Sequence, residues 1–213
     1  YSQGFCFPCM QKLPQCDLCI MSPERCHFDA GTCRDEAWGK AFCMQPHIVY
    51  LANSSGLKVG ITRVNQMPTR WLDQGASQAM PIMQVATRKL SGQVETVLKQ
   101  YVADKTNWRK LLQSDAETID MAQAADLLLN ESEADLDVLL GGLSHQDYQW
   151  LDAAPISMRY PILQYPNKIN SHNLDKEPVL EGKLMGIKGQ YLIFDTAVIN
   201  VRKYSSYLVQ FSS

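Results

Sequence analysis

All seven cysteines of this chain fall within its first 43 residues, at positions 6, 9, 16, 19, 26, 33 and 43. Cys6-x2-Cys9, Cys16-x2-Cys19, Cys26-His27, Cys33 and Cys43-x3-His47 form a run of ligand pairs. Each CxxC can set two thiolates on one face of a tight turn, and a zinc ion takes four such soft ligands in a tetrahedron. Seven cysteines with His27 make eight ligands, enough for two closed sites. Alternatively an upstream pair completes Cys6 and Cys9, leaving Cys16, Cys19, Cys26 and Cys33 as a second set. The chain opens on Tyr1 rather than methionine, which points to a longer precursor and keeps that alternative open. His27, adjoining Cys26, is a better ligand candidate than His47. A disulfide framework is disfavoured by the odd count, the paired spacing and a start that carries neither a basic nor an apolar signal region. Thioredoxin-like redox chemistry needs a CxxC that opens a helix after a strand, which Phe5 to Met10 does not resemble. The expectation is a structural zinc-binding segment over residues 1–46.

At 213 residues, 46% hydrophobic and 20% charged, the chain has enough apolar material for real cores, which excludes disordered and fibrous classes. No apolar run approaches the ~18 residues of a membrane span, so a soluble, cytoplasmic protein with no membrane partner is expected. The net charge of −2 conceals segregation. Residues 1–110 carry 13 Lys/Arg against 8 Asp/Glu, residues 111–154 none against 10, and residues 155–213 seven against four. Two mildly basic lobes therefore flank an acidic one, and the overall acidity does not exclude a polyanionic partner.

After the head, Ile48 to Ala52, the turn residues Asn53 to Gly56 and the alternating Leu57 to Thr62 predict a β-hairpin. Lys58, Gly60 and Thr62 share one face of its second strand, with Gly60 marking a close approach. Pro68 and Thr69 open a short helix that projects Arg70 and closes at Gly75. Pro81 to Thr87 reads as a third strand. Ser91 is the expected cap of a helix whose Val94, Val97, Leu98, Tyr101 and Val102 form an apolar stripe bordered by Glu95.

This order of hairpin, arginine-bearing helix, third strand and glutamate-bearing helix resembles the GIY-YIG nuclease domain. Val49-Tyr50 stands at the first tyrosine motif and Lys58-Val59-Gly60-Ile61-Thr62 at the second. The resemblance implies that Tyr50, Lys58, Arg70 and Glu95 surround a scissile phosphate, with Glu95 holding a divalent metal, Mg²⁺ or Mn²⁺. Chemically, Glu95 is a hard oxygen ligand that leaves most of the octahedron to water and phosphate. Arg70 can make a bidentate contact to phosphoryl oxygens. Tyr50, acidified by nearby cations, would accept a proton from attacking water. Lys58 departs from the family, which has its second tyrosine there; a lysine keeps charge near phosphate but loses the hydroxyl. Arg63, Thr62 and Asn107 are expected nucleic-acid contacts. The stretch from Cys16 through Trp108, including Asp104-Lys105-Thr106-Asn107-Trp108, together with Gly186 to Tyr191, also resembles an uncharacterised bacterial family that couples a cysteine-rich zinc-binding segment to this hairpin.

Beyond it, Thr118 to Leu129 and Leu136 to Leu140 predict two helices ended by Gly141-Gly142, carrying an acidic face that either stays solvated or meets a basic protein partner. Short strands are expected at 156–164, 179–184, 190–194, 198–202 and 207–211, forming a small barrel. Its Lys168, Lys183, Lys188, Arg202 and Lys203 with Tyr191, Tyr204 and Tyr207 would suit single-stranded nucleic acid. The fold class is thus α+β: a zinc-binding head (1–46), a GIY-YIG-like three-stranded domain (47–113), an acidic helical segment (114–153) and a β-rich, barrel-like C-terminal lobe (154–213). The expected function is a zinc-stabilised, metal-dependent phosphodiesterase acting on DNA or RNA. A non-catalytic nucleic-acid-binding module and a protein-interaction scaffold are the alternatives.

Overall fold

Strand β1 (His47–Asn53) is buried at all seven positions, which requires the middle of a sheet covered on both faces. In the computed structural model, which describes residues 4–102 and 107–212, β2 (Leu57–Arg63) pairs antiparallel on one side of β1 and β3 (Gln78–Val85) on the other. Two short strands, β4 (Tyr148–Trp150) and β5 (Ile156–Ser157), extend the far edge of β3. The third strand begins three residues before the expected Pro81. Proline has no N–H for the ladder and is tolerated at irregularities. Here Pro81 faces Tyr50, where the β1–β3 register shifts between Val49 and Tyr50.

The two faces of the sheet have different partners. Val49, Leu51 and Val59 join Val94 and Leu98 of α4 (Arg88–Leu98) and the buried stripe of α6 (Met121–Leu140) in the main core. Ile48, Tyr50 and Ala52 pack on the opposite face with Trp71 of α3 (Thr69–Asp73), Ala76 and Ala79. α4 starts earlier than expected: Thr87 is its N-cap, accepting from Leu90 N, and Ser91 is buried within the helix. The acidic region forms one continuous helix rather than two. No glycine or proline interrupts it, and Met121, Leu128, Leu136 and Leu140 share one buried stripe. Each contributes about 1.5–3 kcal/mol by burial, far above the tenths of a kcal/mol by which propensity penalises Asn130 or Asp135. Its carboxylates at 126, 131, 133, 135 and 137 are exposed.

The head comprises α1 (Phe7–Lys12), three 3-10 turns at Pro14–Cys16, Leu18–Ile20 and Pro23–Arg25, and α2 (Glu36–Phe42). It is clamped to α4. A Cβ at Gly92 would lie 2.4 Å from Glu24 N and 2.6 Å from Pro23 Cβ, so only glycine admits the turn. Arg88 Nη2 donates to the Ile20 carbonyl at 2.7 Å, and Arg88 N to the Cys43 carbonyl at 2.8 Å. Cys6 sits at the N-cap of α1, so the first CxxC does open a helix; no strand precedes it among the described residues.

The C-terminal lobe is an open three-stranded antiparallel sheet, β6 (Leu184–Lys188), β7 (Tyr191–Phe194) and β8 (Val198–Asn200), and not a closed barrel. Of the expected strand at 156–164, only residues 156–157 form one, and they join the main sheet. Pro155, Pro161, Pro166 and Pro178 deny ladder donors through the intervening chain. The alternating residues 207–211 form no strand; Leu208 and Phe211 are exposed, so the pattern has no surface to bury. The β6–β7 turn docks on the end of α3: a Cβ on Gly189, at φ +58°, would lie 2.8 Å from Asp73 O and 2.9 Å from Gly75 N. Lys188 beside it is fully buried, its Nζ meeting Tyr165 Oη at 2.9 Å, Ser114 O at 3.1 Å and Asp115 Oδ1 at 3.2 Å. Lys188, expected among the cations of this lobe that would meet nucleic acid, is thus a buried peg between lobe and linker. No helix among the described residues is long and apolar enough to cross a membrane.

Candidate functional site

Tyr50 is completely buried, and its neighbours explain why the hairpin has this sequence. It pairs with Gly60, where a Cβ would lie 2.6 Å from its ring Cζ and 2.7 Å from its hydroxyl. The phenol therefore occupies the space of the side chain that β2 lacks. Trp71 meets the ring edge-on at 5.8 Å between centroids. With the Gln74 amide oriented to satisfy every partner, its NH₂ donates to Tyr50 Oη at 3.0 Å. Its carbonyl then accepts from Arg70 Nε and Nη2, each at 3.1 Å. Gln74 thus ties the arginine to the tyrosine. No motif signals this glutamine in the sequence; only its place before the helix-closing Gly75 hints at it.

Burial pushes the Tyr50 phenol up to about 12, against the lowering influence of Arg70 and with the Glu95 carboxylate adding to the rise. The expected acidified tyrosine is thus corrected: desolvation outweighs the cation, and Tyr50 stays neutral at physiological pH. Glu95 pairs with Lys99, one helical turn on, at 3.2 Å. Lys58 pairs with Ala52, so it shares the Tyr50 face of the hairpin two residue pairs farther along.

The three expected nucleic-acid contacts have structural employment. The Arg63 guanidinium covers the Phe42 ring at 4.7 Å. Thr62 is buried and donates to Arg63 O at 3.4 Å. Asn107 caps α5 (Trp108–Leu111), accepting from Arg109 N and Lys110 N, while its own N–H donates to Ser55 Oγ at 3.0 Å. Asp104, Lys105 and Thr106 lie outside the described residues.

All seven cysteines are free thiols. Cys19, Cys26 and Cys43 are buried together against Phe28, Trp38 and Met44. With Cys33 they line a cavity of about 10 Å³, room for roughly one atom. Burial, and then the neighbouring Asp17 carboxylate and Cys26, push the Cys19 thiol up to about 12; burial and Cys26 raise Cys43 to about 11. Such a group stays protonated unless a cation neutralises it. Cys6 and Cys9 interact through their thiols, with Cys16 acting on Cys9. Among the described residues, Asp17, Cys19 and His27 have ligand atoms within 4.8 Å of one another, a group able to hold a metal ion. His47, by contrast, is fully buried at the start of β1, and burial lowers it to about 4. Its Nδ1 meets Gln45 O at 2.6 Å, and its Nε2 has no hydrogen-bond partner.

No curated protein and no solved structure matches the chain. A family model described as "Protein of unknown function (DUF2797)" matches residues 1–209, and the chain belongs to that family.

Proposed function

We propose that the chain is a zinc-stabilised nucleic-acid-processing protein whose GIY-YIG-like centre, built on Tyr50, Lys58, Arg70 and Glu95, hydrolyses a phosphodiester with a divalent metal. The observation that carries this reading is the Tyr50–Gln74–Arg70 chain of hydrogen bonds, set opposite Gly60 and within the field of Glu95. Tyr50 of β1 stands against Gly60 of β2 and is joined through Gln74 to Arg70 of α3, an arrangement that supports such a site. Arg70 is held through Nε and Nη2, which leaves Nη1 to meet a phosphoryl oxygen and to strengthen that contact as charge develops. Tyr50, neutral and locked by Gln74, orients rather than ionises. Mg²⁺ or Mn²⁺ bound at Glu95 would supply Lewis acidity and an activated water. Lys99 competes for the same carboxylate, and Lys58 adds positive charge on the Tyr50 face.

The test is cleavage of single- and double-stranded DNA and RNA in Mg²⁺ or Mn²⁺, with Glu95→Ala as control. Metal-dependent cleavage by the wild type, lost in the variant, is expected. Activity surviving Glu95→Ala would sink the assignment. The high position of the Tyr50 phenol and the lysine at position 58 favour a second reading, a nucleic-acid-binding module without catalysis. Salt-sensitive binding with no cleavage under any metal would move the assignment there.

A further inference from the structure

We propose that Cys19, Cys26, Cys33 and Cys43 together form one closed zinc site, in a cavity that Cys6, Cys9 and Cys16 do not line. The inference deepens the reading of a zinc-stabilised head and rests on it. Four cysteines from four separate places in the chain border a cavity with room for about one atom. Cys19 comes from the turn Leu18–Ile20, Cys26 ends the turn Pro23–Arg25, Cys33 precedes α2, and Cys43 caps its C-terminus. Cys19, Cys26 and Cys43 are buried together, with Cys33 at the rim, and a cation in the cavity they border would be neutralised by four thiolates, the soft donor set zinc takes. Gly39 makes the site possible: a Cβ there would lie 2.6 Å from the Phe28 ring and 3.1 Å from Cys33 Sγ.

The group Asp17, Cys19 and His27 is the tighter cluster, yet two of its members are already engaged. Asp17 accepts from Cys19 N at 3.2 Å and binds Arg34 Nε at 2.7 Å. His27 Nδ1 meets Thr32 Oγ1 at 2.7 Å, and its Nε2 faces Asp17 at 3.5 Å. An ion held by these two would take only Asp17 Oδ1 and His27 Nε2 beside a single thiol, a harder and less complete donor set than four thiolates. Asp17 and His27 therefore read as groups that fix the Cys19 turn. Cys16 does not line the cavity that Cys19 borders. The Cys16-x2-Cys19 pair is thus divided, although its spacing suggests a shared ion.

Metal analysis and zinc X-ray absorption on the whole chain carrying Cys6→Ser, Cys9→Ser and Cys16→Ser together test the assignment. One zinc per chain is expected, surrounded by sulfur alone at about 2.3 Å. Nitrogen or oxygen among the ligands, or loss of all zinc, overturns it. Added to that triple variant, His27→Ala is expected to keep the sulfur-only signal. Cys33→Ser is expected to weaken retention of this ion against a chelator by more than the roughly 10–100-fold typical of losing an outer contact. An unchanged Cys33→Ser also overturns the proposal. None of these readouts depends on cleavage: a zinc-loaded chain that cuts nothing removes the proposed function and leaves this site, and a zinc-free chain that cuts in Mg²⁺ or Mn²⁺ does the reverse.

Discussion

Replacing Gly60 by alanine puts a methyl group in place of a hydrogen, at a crowded point of the hairpin. The new Cβ would lie 2.6 Å from Tyr50 Cζ, 2.7 Å from its hydroxyl and 2.9 Å from Cε2, against ordinary carbon contacts of about 3.5–4.0 Å. The ring cannot simply retreat. It is fully buried, Trp71 stands at its edge, and Gln74 holds its hydroxyl. Displacement by close to 1 Å is needed, and overpacking of that kind costs roughly 1–3 kcal/mol. Opposing it, alanine in extended backbone restricts the unfolded chain and contributes about 0.4–1 kcal/mol of stability, since Gly60 has no positive φ. The clash wins, leaving a net loss of about 1–2 kcal/mol, or some 2–8 °C in Tm for a chain of this size. Chemical denaturation at fixed zinc concentration measures it. A double-mutant cycle with Tyr50→Leu isolates the cause, because without the ring the alanine should cost nothing or stabilise. An alanine variant as stable as the wild type, or a cost that persists in the Tyr50→Leu background, refutes the reasoning.

Two further outcomes follow from buried ionisable groups. His47 is lowered from 6.5 to about 4 by burial, so between those values the unfolded chain binds the extra proton and stability falls with falling pH. The full loss is about 3 kcal/mol, complete near pH 4 and absent above pH 6.5; the difference between wild-type and His47→Gln denaturation curves isolates it from proton uptake by the thiols, and a flat difference contradicts it. Lys188→Met keeps the volume but removes three contacts to Tyr165, Ser114 and Asp115, with an expected cost of about 1–3 kcal/mol read as a lower denaturation midpoint. An unchanged midpoint would mean that the buried ammonium contributes nothing net.

The hairpin was legible because alternation, turn residues and a close-approach glycine agree over residues 48–62, and the structure pairs them Tyr50 to Gly60 and Ala52 to Lys58. β4 and β5, three and two residues long, are too short to show a period. Their places are set by β3, which needs partners on its outer edge. The acidic helix reads as two because Leu127 and Val138 are apolar yet exposed and blur the stripe. In the C-terminal lobe the opposite error arises: residues 207–211 alternate well, but nothing offers them an edge. At the site, Tyr50 and Arg70 stood out as motif residues, whereas Gln74 carries no local pattern and acquires its role only from the distance between them. Lys188 looks like any strand lysine until Asp115 and Tyr165 close over it, at separations in sequence that no window spans. Likewise the CxxC spacing pairs Cys16 with Cys19, whereas only Cys19 lines the small cavity bordered by Cys26, Cys33 and Cys43.

Central to this account is Arg70 as the group that meets the phosphate, and the most direct measurement is the metal-dependent cleavage rate of the wild type against Arg70→Ala at equal zinc content. The account predicts a wild-type rate that falls about 10²–10³-fold in the variant, as loss of a donor aimed at developing charge does elsewhere. An Arg70→Ala chain that folds, holds its zinc and cuts as fast as the wild type contradicts it.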